Sequence, residues 1–300
     1  MDDYGNVYAT KKEGEVPEDF YFPCVISHTD TVHNIDTINI KEEMLKNAQG
    51  ELKPSLKAYN DDEFPTGIGG DDKCGVFACL TLLQELPYVK AAFFVSEETG
   101  CHGSSQCDES FLQDVGYITQ YDAPGNHLIS EICSGVRLFE RDSEFFTKTL
   151  KVIEDGFENE MLIQSHPYTD ISQLKKKIDV SCINMSCGYY NMHSDQEFVS
   201  IGDVEKSILI GQNMVKELGY KKYKYEYKPI VYTQQTVMNS LLGFDKDDDF
   251  EVHQLETVDV LEEKDGITIS DAFEGNSLFI SDDDIPYLYE ILKDRLISKN

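Results

Sequence analysis

The sequence predicts an α/β fold in which a mostly parallel, mixed β-sheet lies between two layers of helices. Three observations predict it. Short, almost wholly apolar runs of strand length recur through residues 1–220, as in buried central strands. Longer helical patterns separate several of these runs, and glycine-rich or acidic turns follow them. Strands that alternate with helices build a three-layer α/β/α domain, because the crossover helices cover both faces of the sheet.

The amino-terminal half alternates these patterns in a regular order. Residues 6–10 and 21–27 predict strands joined by a charged turn, and the second is apolar enough to be central. Residues 44–65 are polar and rich in turn formers, which predicts a loop or hairpin. Further on, the pattern predicts a tight glycine turn at 67–70, a helix at 74–86, a strand at 90–96, a short helix at 111–115 and a strand at 116–121.

The carboxy-terminal half completes the α/β domain, and its composition then changes. A helix is predicted at 144–156, a strand at 180–185 and an amphipathic helix at 201–218. We therefore place the α/β domain at residues 1–220 and a small, acidic α+β appendage at 221–300. Its predicted features are a tyrosine- and lysine-rich stretch at 220–232, an acidic run at 245–249, a hairpin at 268–281 and a helix at 285–298.

The composition limits the partners of this protein. The 300-residue chain carries 56 acidic and 26 basic residues, for a formal net charge of -30. A surface this acidic repels nucleic acid and anionic membranes, so we expect neither as a partner. Hydrophobic residues make up 40% of the chain, which is enough for a substantial core. No apolar stretch reaches the length of a transmembrane helix.

The eight cysteines are expected to be reduced core residues. Several lie inside apolar runs, none forms a CxxC pair, and no secretory leader precedes the first strand. A chain of this length does not need disulfides to form a stable core. We therefore expect a cytoplasmic protein.

Five short segments place metal-binding residue types at or just after a strand end, where sites form in open α/β sheets. Taken singly, each segment is weak evidence for a metal site. A lone histidine near an aspartate more often has a structural role, and two glutamates after a strand are more often solvated surface charges. In chain order the segments contribute His28 followed by Asp30, Asp71 in a glycine-rich turn, the pair Glu97 and Glu98, Asp122, and His193.

These residue types suit a particular chemistry. Imidazole and carboxylate ligands favour zinc. Asp30 can accept the second ring N–H of His28 and so fix the tautomer that binds metal. The two oxygens of Asp71 can bridge two cations. Of two adjacent glutamates, one can bind metal while the other holds a water as general base.

The ordered set of motifs resembles the di-zinc exopeptidase clan. That clan includes peptidase T, the carboxypeptidase G-like and acylase-like enzymes, single-domain bacterial aminopeptidases and the tetrahedral aminopeptidases. The resemblance covers about residues 4–218. Residues 189–198, Tyr-Tyr-Asn-Met-His-Ser-x-x-Glu-Phe, resemble the final-histidine segment of peptidase T-like and tetrahedral members. Thr169-Asp170 resembles the Thr-Asp element of the clan.

The resemblance implies two divalent metal ions, with zinc expected, and no other cofactor. Asp71 would bridge the two ions, and His28 and Asp122 would complete one site. Glu98 and His193 would complete the other. Two further roles and one backbone feature are implied: Glu97 as the general base, Asp30 as the residue that orients His28, and a cis peptide bond between Asp71 and Asp72.

The expected activity is hydrolysis of an amide bond in a small peptide or amino-acid derivative by an aminopeptidase-type exopeptidase. Two alternatives stay open. One is a deacylase or amidohydrolase of a small N-acyl compound, and the other is a non-catalytic binding protein that retains the fold. The sequence leaves the oligomeric state open.

Two departures from relatives concern architecture. Many relatives carry an inserted lid domain, but the intervals 28–71 and 122–193 are too short to hold one, so we expect none. Relatives usually begin with a helix before the first strand, whereas this chain begins almost at the strand. The pocket walls must then come from loops or from the appendage, for which residues 220–232 are the first candidate.

Overall fold

The structure, a computed structural model, describes residues 1–33, 38–166 and 169–227 in full, together with four backbone strands between residues 252 and 281. The chain divides into two compact units, Met1–Lys228 and Pro229–Asn300. The strands of the first unit are β1 Val7–Lys12, β2 Phe22–His28, β3 Asn39–Lys46, β4 Leu52–Tyr59, β5 Pro65–Thr66, β6 Tyr88–Phe94, β7 Val115–Ala123, β8 Leu128–Cys133, β9 Val136–Arg137, β10 Leu162–His166, β11 Cys182–Ser186, β12 Tyr189–Tyr190 and β13 Phe198–Ser200. Its helices are α1 Gly70–Glu85, α2 His102–Ser105, α3 Glu109–Leu112, α4 Glu144–Phe157, α5 Asp170–Lys175 and α6 Ile201–Leu218.

A mixed, mostly parallel central sheet forms the core of the first unit, as the sequence predicts. Its strand order is β1-β6-β2-β7-β11-β8-β10, with β9 paired to β8. The neighbours of β2, β6 and β7, both run parallel to it, and every residue of β2 is buried. The antiparallel pairs are β1 with β6, β11 with β8 and β8 with β9. The predicted α/β class is confirmed.

Helices pack in two groups against this sheet. In one group α6 contacts both α1 and α4, and α1 also contacts β2 and β7. In the other group α2 contacts α5, which contacts β2 and β11. Helix α6 has the bounds predicted from its apolar periodicity, and Gly219, with φ of 69°, ends it. Asp71 and Asp72 have non-helical backbone angles, so the regular turns of α1 begin close to the predicted residue 74.

A second, smaller sheet has the order β12-β13-β4-β3, with β5 paired to β4. Its strands β3 and β4 form the hairpin allowed by the polar stretch at 44–65. Asn47 shapes the turn, because its Oδ1 accepts the N–H groups of Gln49 and Glu51. The sequence did not predict β3, because most of its side chains are exposed and leave no apolar alternation to recognise.

Strand β8 is another element that the sequence did not predict. Its apolar run is interrupted by Ser130 and Glu131, both buried. Glu131 forms ion pairs with Arg137 and with Arg141, which compensate for its burial. A buried glutamate that is paired with exposed arginines therefore interrupts the apolar pattern by which a core strand is recognised.

All eight cysteines are unpaired and buried, as the sequence predicts for core thiols: Cys24, Cys74, Cys79, Cys101, Cys107, Cys133, Cys182 and Cys187. Within the described residues, no helix is long and apolar enough to cross a membrane. The described residues between 122 and 193 all belong to the first compact unit, and none of them forms an inserted domain.

Residues 220–227 belong to the first unit and pack at the amino ends of its central strands. Tyr220 stacks on Phe20 with ring centroids 4.8 Å apart, and Tyr223 is buried. The N–H of Tyr223 donates to the carbonyl of Gly116, and the N–H of Ser181 donates to the carbonyl of Tyr223. The expectation that this stretch lines the pocket is therefore wrong for its described part, since sites in such sheets form at the carboxyl ends.

The second unit contains a four-stranded antiparallel meander. Its strands, in sheet order, are β14 Val252–Leu255, β15 Val258–Glu263, β16 Gly266–Asp271 and β17 Ser277–Ser281. The predicted hairpin at 268–281 corresponds to β16 and β17. The acidic run at 245–249 and the predicted helix at 285–298 lie outside the described residues.

Candidate metal centre

The predicted site residues converge at the carboxyl ends of the central strands. His28 is the last residue of β2, and Asp122 is the second-last residue of β7. Glu98 follows β6 by four residues, and Asp71 lies at the start of α1. Because β2, β6 and β7 are parallel neighbours, their ends bring these side chains to one edge of the sheet.

The carboxylate of Asp71 lies between two imidazoles. Its Oδ1 is 3.0 Å from Nε2 of His28, and its Oδ2 is 3.1 Å from Nε2 of His193. The two histidines are 165 positions apart in sequence, yet they meet opposite oxygens of one side chain. This is the arrangement expected of a carboxylate that bridges two cations.

Each histidine has a second carboxylate beside it. Nε2 of His193 is 3.1 Å from Oε2 of Glu98, and Nε2 of His28 is 3.5 Å from Oδ1 of Asp122. The other oxygen of Glu98, Oε1, is buried and has no hydrogen-bond partner. Since a buried carboxylate oxygen normally has a partner, Oε1 is free to bind a cation.

Most of this cluster is shielded from solvent, but it opens on one side. The side chain of His28 is 0% exposed and that of Asp71 is 8% exposed. His193 differs, with a side chain that is 46% exposed. The cluster is therefore accessible to solvent on the side of His193.

Among the described residues, two groups have ligand atoms close enough to share a metal ion. One contains His28, Asp71 and Glu98, and the other contains His28, Asp72 and Asp122. Asp72 was not predicted as a ligand. Its Oδ2 accepts the N–H of His28 and its Oδ1 accepts that of Gly75, so both oxygens already have backbone partners. The Asp71-Asp72 peptide bond is cis, as the resemblance implied.

Asp30 contacts His28 in a different way from the one expected. Nδ1 of His28 is 3.1 Å from the backbone carbonyl oxygen of Asp30, and 3.6 Å from its carboxylate. The carboxylate instead accepts the backbone N–H groups of Glu97 and Glu98, each at 3.1 Å. Asp30 therefore links the end of β2 to the glutamate turn, while its carbonyl lies nearest to the imidazole.

The electrostatic field of the cluster favours a positive charge. Burial alone would lower the pKa of His28, but the carboxylate of Asp122 and its neighbours raise it well above its usual value. Hydrogen bonds to Asp71 and Glu98 raise the pKa of His193 to about 10. Burial alone would raise the pKa of Asp71, but the two histidines outweigh burial and lower it. The donor set and its field thus fit divalent cations.

Asp122 is held by a set of polar side chains that the sequence did not single out for this purpose. Its Oδ2 accepts hydrogen bonds from Thr169 at 2.8 Å and from Gln120 at 3.1 Å. Its Oδ1 accepts one from the hydroxyl of Tyr189 at 3.3 Å, and its backbone N–H donates to Asn184. Thr169, the first residue of the Thr-Asp element recognised in the sequence, is thus one of the side chains that hold Asp122 in place.

Glu97 lies beside the cluster. In the part of the chain that the structure describes, it belongs to neither of the two groups of close ligand atoms. Its side chain is buried, and Sγ of Cys101 donates towards its Oε1 at 3.6 Å. Burial, and after it the charge of Asp122, raises the pKa of Glu97 well above its usual value. Its carboxyl group is thus able to hold a proton next to the centre.

Sequence reasoning also missed Glu197 and His33. Glu197 has no exposed surface and accepts the backbone N–H of Asp71. It stands inside the final-histidine segment quoted above, so the signal was present, but no partner could be assigned without the fold. His33 follows the His28 motif closely, and its Nε2 lies 2.9 Å from Oε2 of Glu197.

Comparison with known proteins gives a fold and no closer relationship. No family model matches the chain, and the comparison with curated proteins also finds no match. Among solved structures it is similar to aminopeptidase PepT from Bacillus cereus, with a TM-score of 0.54 and 12% identity over 71% of this chain and 84% of that one. It has the aminopeptidase fold.

Two archaeal structures lead to the same conclusion. An aminopeptidase from Desulfurococcus kamchatkensis has a TM-score of 0.52 and 15% identity over 73% of this chain and 85% of that one. A TET aminopeptidase from a marine sediment thaumarchaeon has a TM-score of 0.50 and 12% identity over 73% and 86%. The resemblance to the di-zinc exopeptidase clan is therefore confirmed for the fold.

Proposed function

We propose that this chain is a metal-dependent hydrolase of the aminopeptidase type, which cleaves an amide bond in a small peptide or amino-acid derivative. One observation carries the proposal: the carboxylate of Asp71 lies between His28 and His193, and each histidine has a second carboxylate beside it. The aminopeptidase fold supports it, because the cluster lies at the carboxyl ends of the strands, where ligands bind in such sheets.

Five residues would hold two divalent ions, with zinc preferred for imidazole and carboxylate ligands. His28 and Asp122 would hold one ion, Glu98 and His193 would hold the other, and Asp71 would contact both. When bound, such a pair lowers the pKa of a shared water and polarises a carbonyl group.

Glu97 would act as the general base. Its carboxylate accepts a proton from the attacking water, and the carboxyl group so formed delivers that proton to the nitrogen of the leaving amine. The burial of its side chain, and the 3.1 Å distance from Oε2 of the neighbouring Glu98 to Nε2 of His193, support this division of labour with Glu98. The contacts of Asp30 with the N–H groups of both glutamates hold the turn that presents them.

A substrate screen with controlled metal content tests the proposal. The protein is stripped of metal with a chelator, and samples with and without added zinc are assayed on aminoacyl and on N-acyl amino-acid chromogenic substrates. We expect zinc-dependent release from aminoacyl substrates. A His28→Ala variant purified in parallel controls for contaminating peptidases. Zinc-dependent cleavage of N-acyl substrates alone would indicate a deacylase. Zinc binding with no turnover in either class would indicate a binding protein.

A further inference from the structure

Glu197 is a fully buried carboxylate that lies behind the candidate metal centre. Its Oε2 accepts the backbone N–H of Gly69 at 2.7 Å, and its Oε1 accepts that of Asp71 at 3.1 Å. Nε2 of His33 lies 2.9 Å from the same Oε2. Burial of a carboxylate is unfavourable unless hydrogen bonds compensate for it. The two backbone N–H groups supply that compensation, and the ring of His33 packs against the same oxygen.

The two backbone N–H groups belong to the loop that presents the bridging aspartate. Gly69 is in the left-handed region with φ of 66°, and Asp71 opens α1 with non-helical angles. A backbone of this kind is not held by helical hydrogen bonds, so an external acceptor must fix it. Glu197 supplies that acceptor on both sides of Gly70.

Glycines make the close approach of Glu197 and His33 to this loop feasible. A Cβ at Gly70 would lie 2.8 Å from Cβ of Tyr189 and 3.4 Å from Oε1 of Glu197. A Cβ at Gly67 would lie 2.1 Å from the ring of His33. The glycine-rich turn therefore leaves the space that these two side chains occupy.

A single chain segment reaches Asp71 from two directions. His193 meets the carboxylate of Asp71 at Oδ2, and Glu197, four residues later, meets the backbone nitrogen of Asp71. The N–H of Glu197 donates to the carbonyl of Ser194, which closes the turn between them. The separation between His193 and the loop is thus fixed within one short turn.

We propose that Glu197, paired with His33, is the positioning residue for Asp71. It holds the backbone of Asp71 so that the two carboxylate oxygens face His28 and His193, and it does not bind metal itself. The inference rests on the proposed function, because it assumes that Asp71 binds metal ions.

Glu197→Gln is the direct test. The amide keeps the shape of the side chain, but its NH₂ group must face either the N–H of Gly69 or that of Asp71, so one hydrogen bond is replaced by two opposed donors. We expect zinc affinity to fall about 10- to 100-fold, as is typical when a residue that orients a metal ligand is changed. Affinity is measured by competition with a chromogenic chelator.

Glu131→Gln is the matched control, since Glu131 is also a buried carboxylate but is paired with two arginines away from the cluster. We expect this control to lower the thermal stability of the metal-free protein and to leave zinc affinity unchanged. The proposal is overturned if Glu197→Gln folds and binds zinc as tightly as the wild type, because Glu197 would then have only a structural role.

Hydrogen exchange in the metal-free protein separates this inference from the proposed function. We expect the amides of Gly69 and Asp71 to exchange at least about tenfold faster in Glu197→Gln, by NMR or mass spectrometry, because they lose their acceptor. Unchanged exchange would refute the positioning role. If the wild type binds no zinc, the proposed function fails, and exchange still reports whether Glu197 holds the loop.

His33→Gln provides a second variant in case Glu197→Gln does not fold. Glutamine lacks the ring that lies 2.9 Å from Oε2 of Glu197 and packs against Gly67. We therefore expect a smaller loss of zinc affinity than in Glu197→Gln and faster exchange at Gly69. Wild-type affinity together with wild-type exchange in His33→Gln would refute the pairing.

Discussion

Exchange of Glu97 for glutamine separates the two adjacent glutamates by function. The change replaces a buried carboxyl group by an amide of nearly the same shape, and among the described residues Sγ of Cys101 donates towards its Oε1 at 3.6 Å. Loss of so long a contact changes the free energy of unfolding by no more than about 1 kcal/mol. The fold and the metal ligands should therefore persist.

Turnover should fall much further than stability. Removal of a general base lowers the rate by about 10²–10⁴-fold, which corresponds to about 3–5 kcal/mol in the activation barrier. Glu98→Gln should behave differently, because Oε2 of Glu98 lies 3.1 Å from Nε2 of His193 and its other oxygen is unpartnered. We expect zinc affinity to fall by more than about 100-fold, beyond the loss typical of residues behind the ligands.

The assay combines kcat at saturating zinc with zinc content by elemental mass spectrometry after dialysis. Glu97→Gln should retain two zinc ions per chain and lose turnover, whereas Glu98→Gln should lose zinc. The reverse pattern, with zinc lost from Glu97→Gln and retained by Glu98→Gln, would exchange the two roles. Wild-type turnover in Glu97→Gln would refute its function as the base.

Further predictions concern stability and zinc binding. In urea unfolding, Gly70→Ala should destabilise the protein by more than about 2 kcal/mol, because the new Cβ would lie 2.8 Å from packed atoms. Gly202→Ala is the control: its Cβ would have no atom within 4 Å, so it should stabilise α6 by about 0.5–1 kcal/mol. Tyr223→Ala should lower the free energy of unfolding by about 3–5 kcal/mol, while truncation after residue 228 should preserve zinc binding. Burial alone would raise the pKa of Asp2, but the hydrogen bonds that its carboxylate accepts outweigh burial and lower the pKa to about 2. The ionised carboxylate therefore stabilises the fold fully above about pH 4, and this stabilisation is lost as the pH falls towards 2. The difference in the free energy of unfolding between wild type and Asp2→Asn should shrink over that range.

The predictability of this fold follows the strength of the apolar signal. Strand β2 and helix α6 bury strongly periodic or continuous apolar residues, so their positions could be read from the sequence. Strand β3 is exposed along most of its length, and β8 contains a buried glutamate whose arginine partners follow in sequence. Such elements are stabilised by pairing and ion contacts, which a residue pattern does not record.

Some residues of the candidate site could likewise be predicted from the sequence, and others could not. Residues whose chemistry is distinctive, such as His28, Asp71 and His193, could be proposed from residue type and order alone. Glu197 could not, because its partners are backbone N–H groups more than 120 positions earlier in the chain. A backbone donor has no sequence signature, so an acceptor for it becomes visible only in the folded chain.

The eight buried thiols can be used to monitor local unfolding throughout the first unit. Since every cysteine lies within residues 24–187 and all are shielded, a small alkylating reagent can modify them only when the surrounding segment unfolds. Cys101 reports on the glutamate turn, and Cys187, whose Sγ lies 3.9 Å from Oδ1 of Asp72, reports on the aspartate pair. The order in which these cysteines are alkylated, measured by mass spectrometry with and without zinc, would show which strands unfold first.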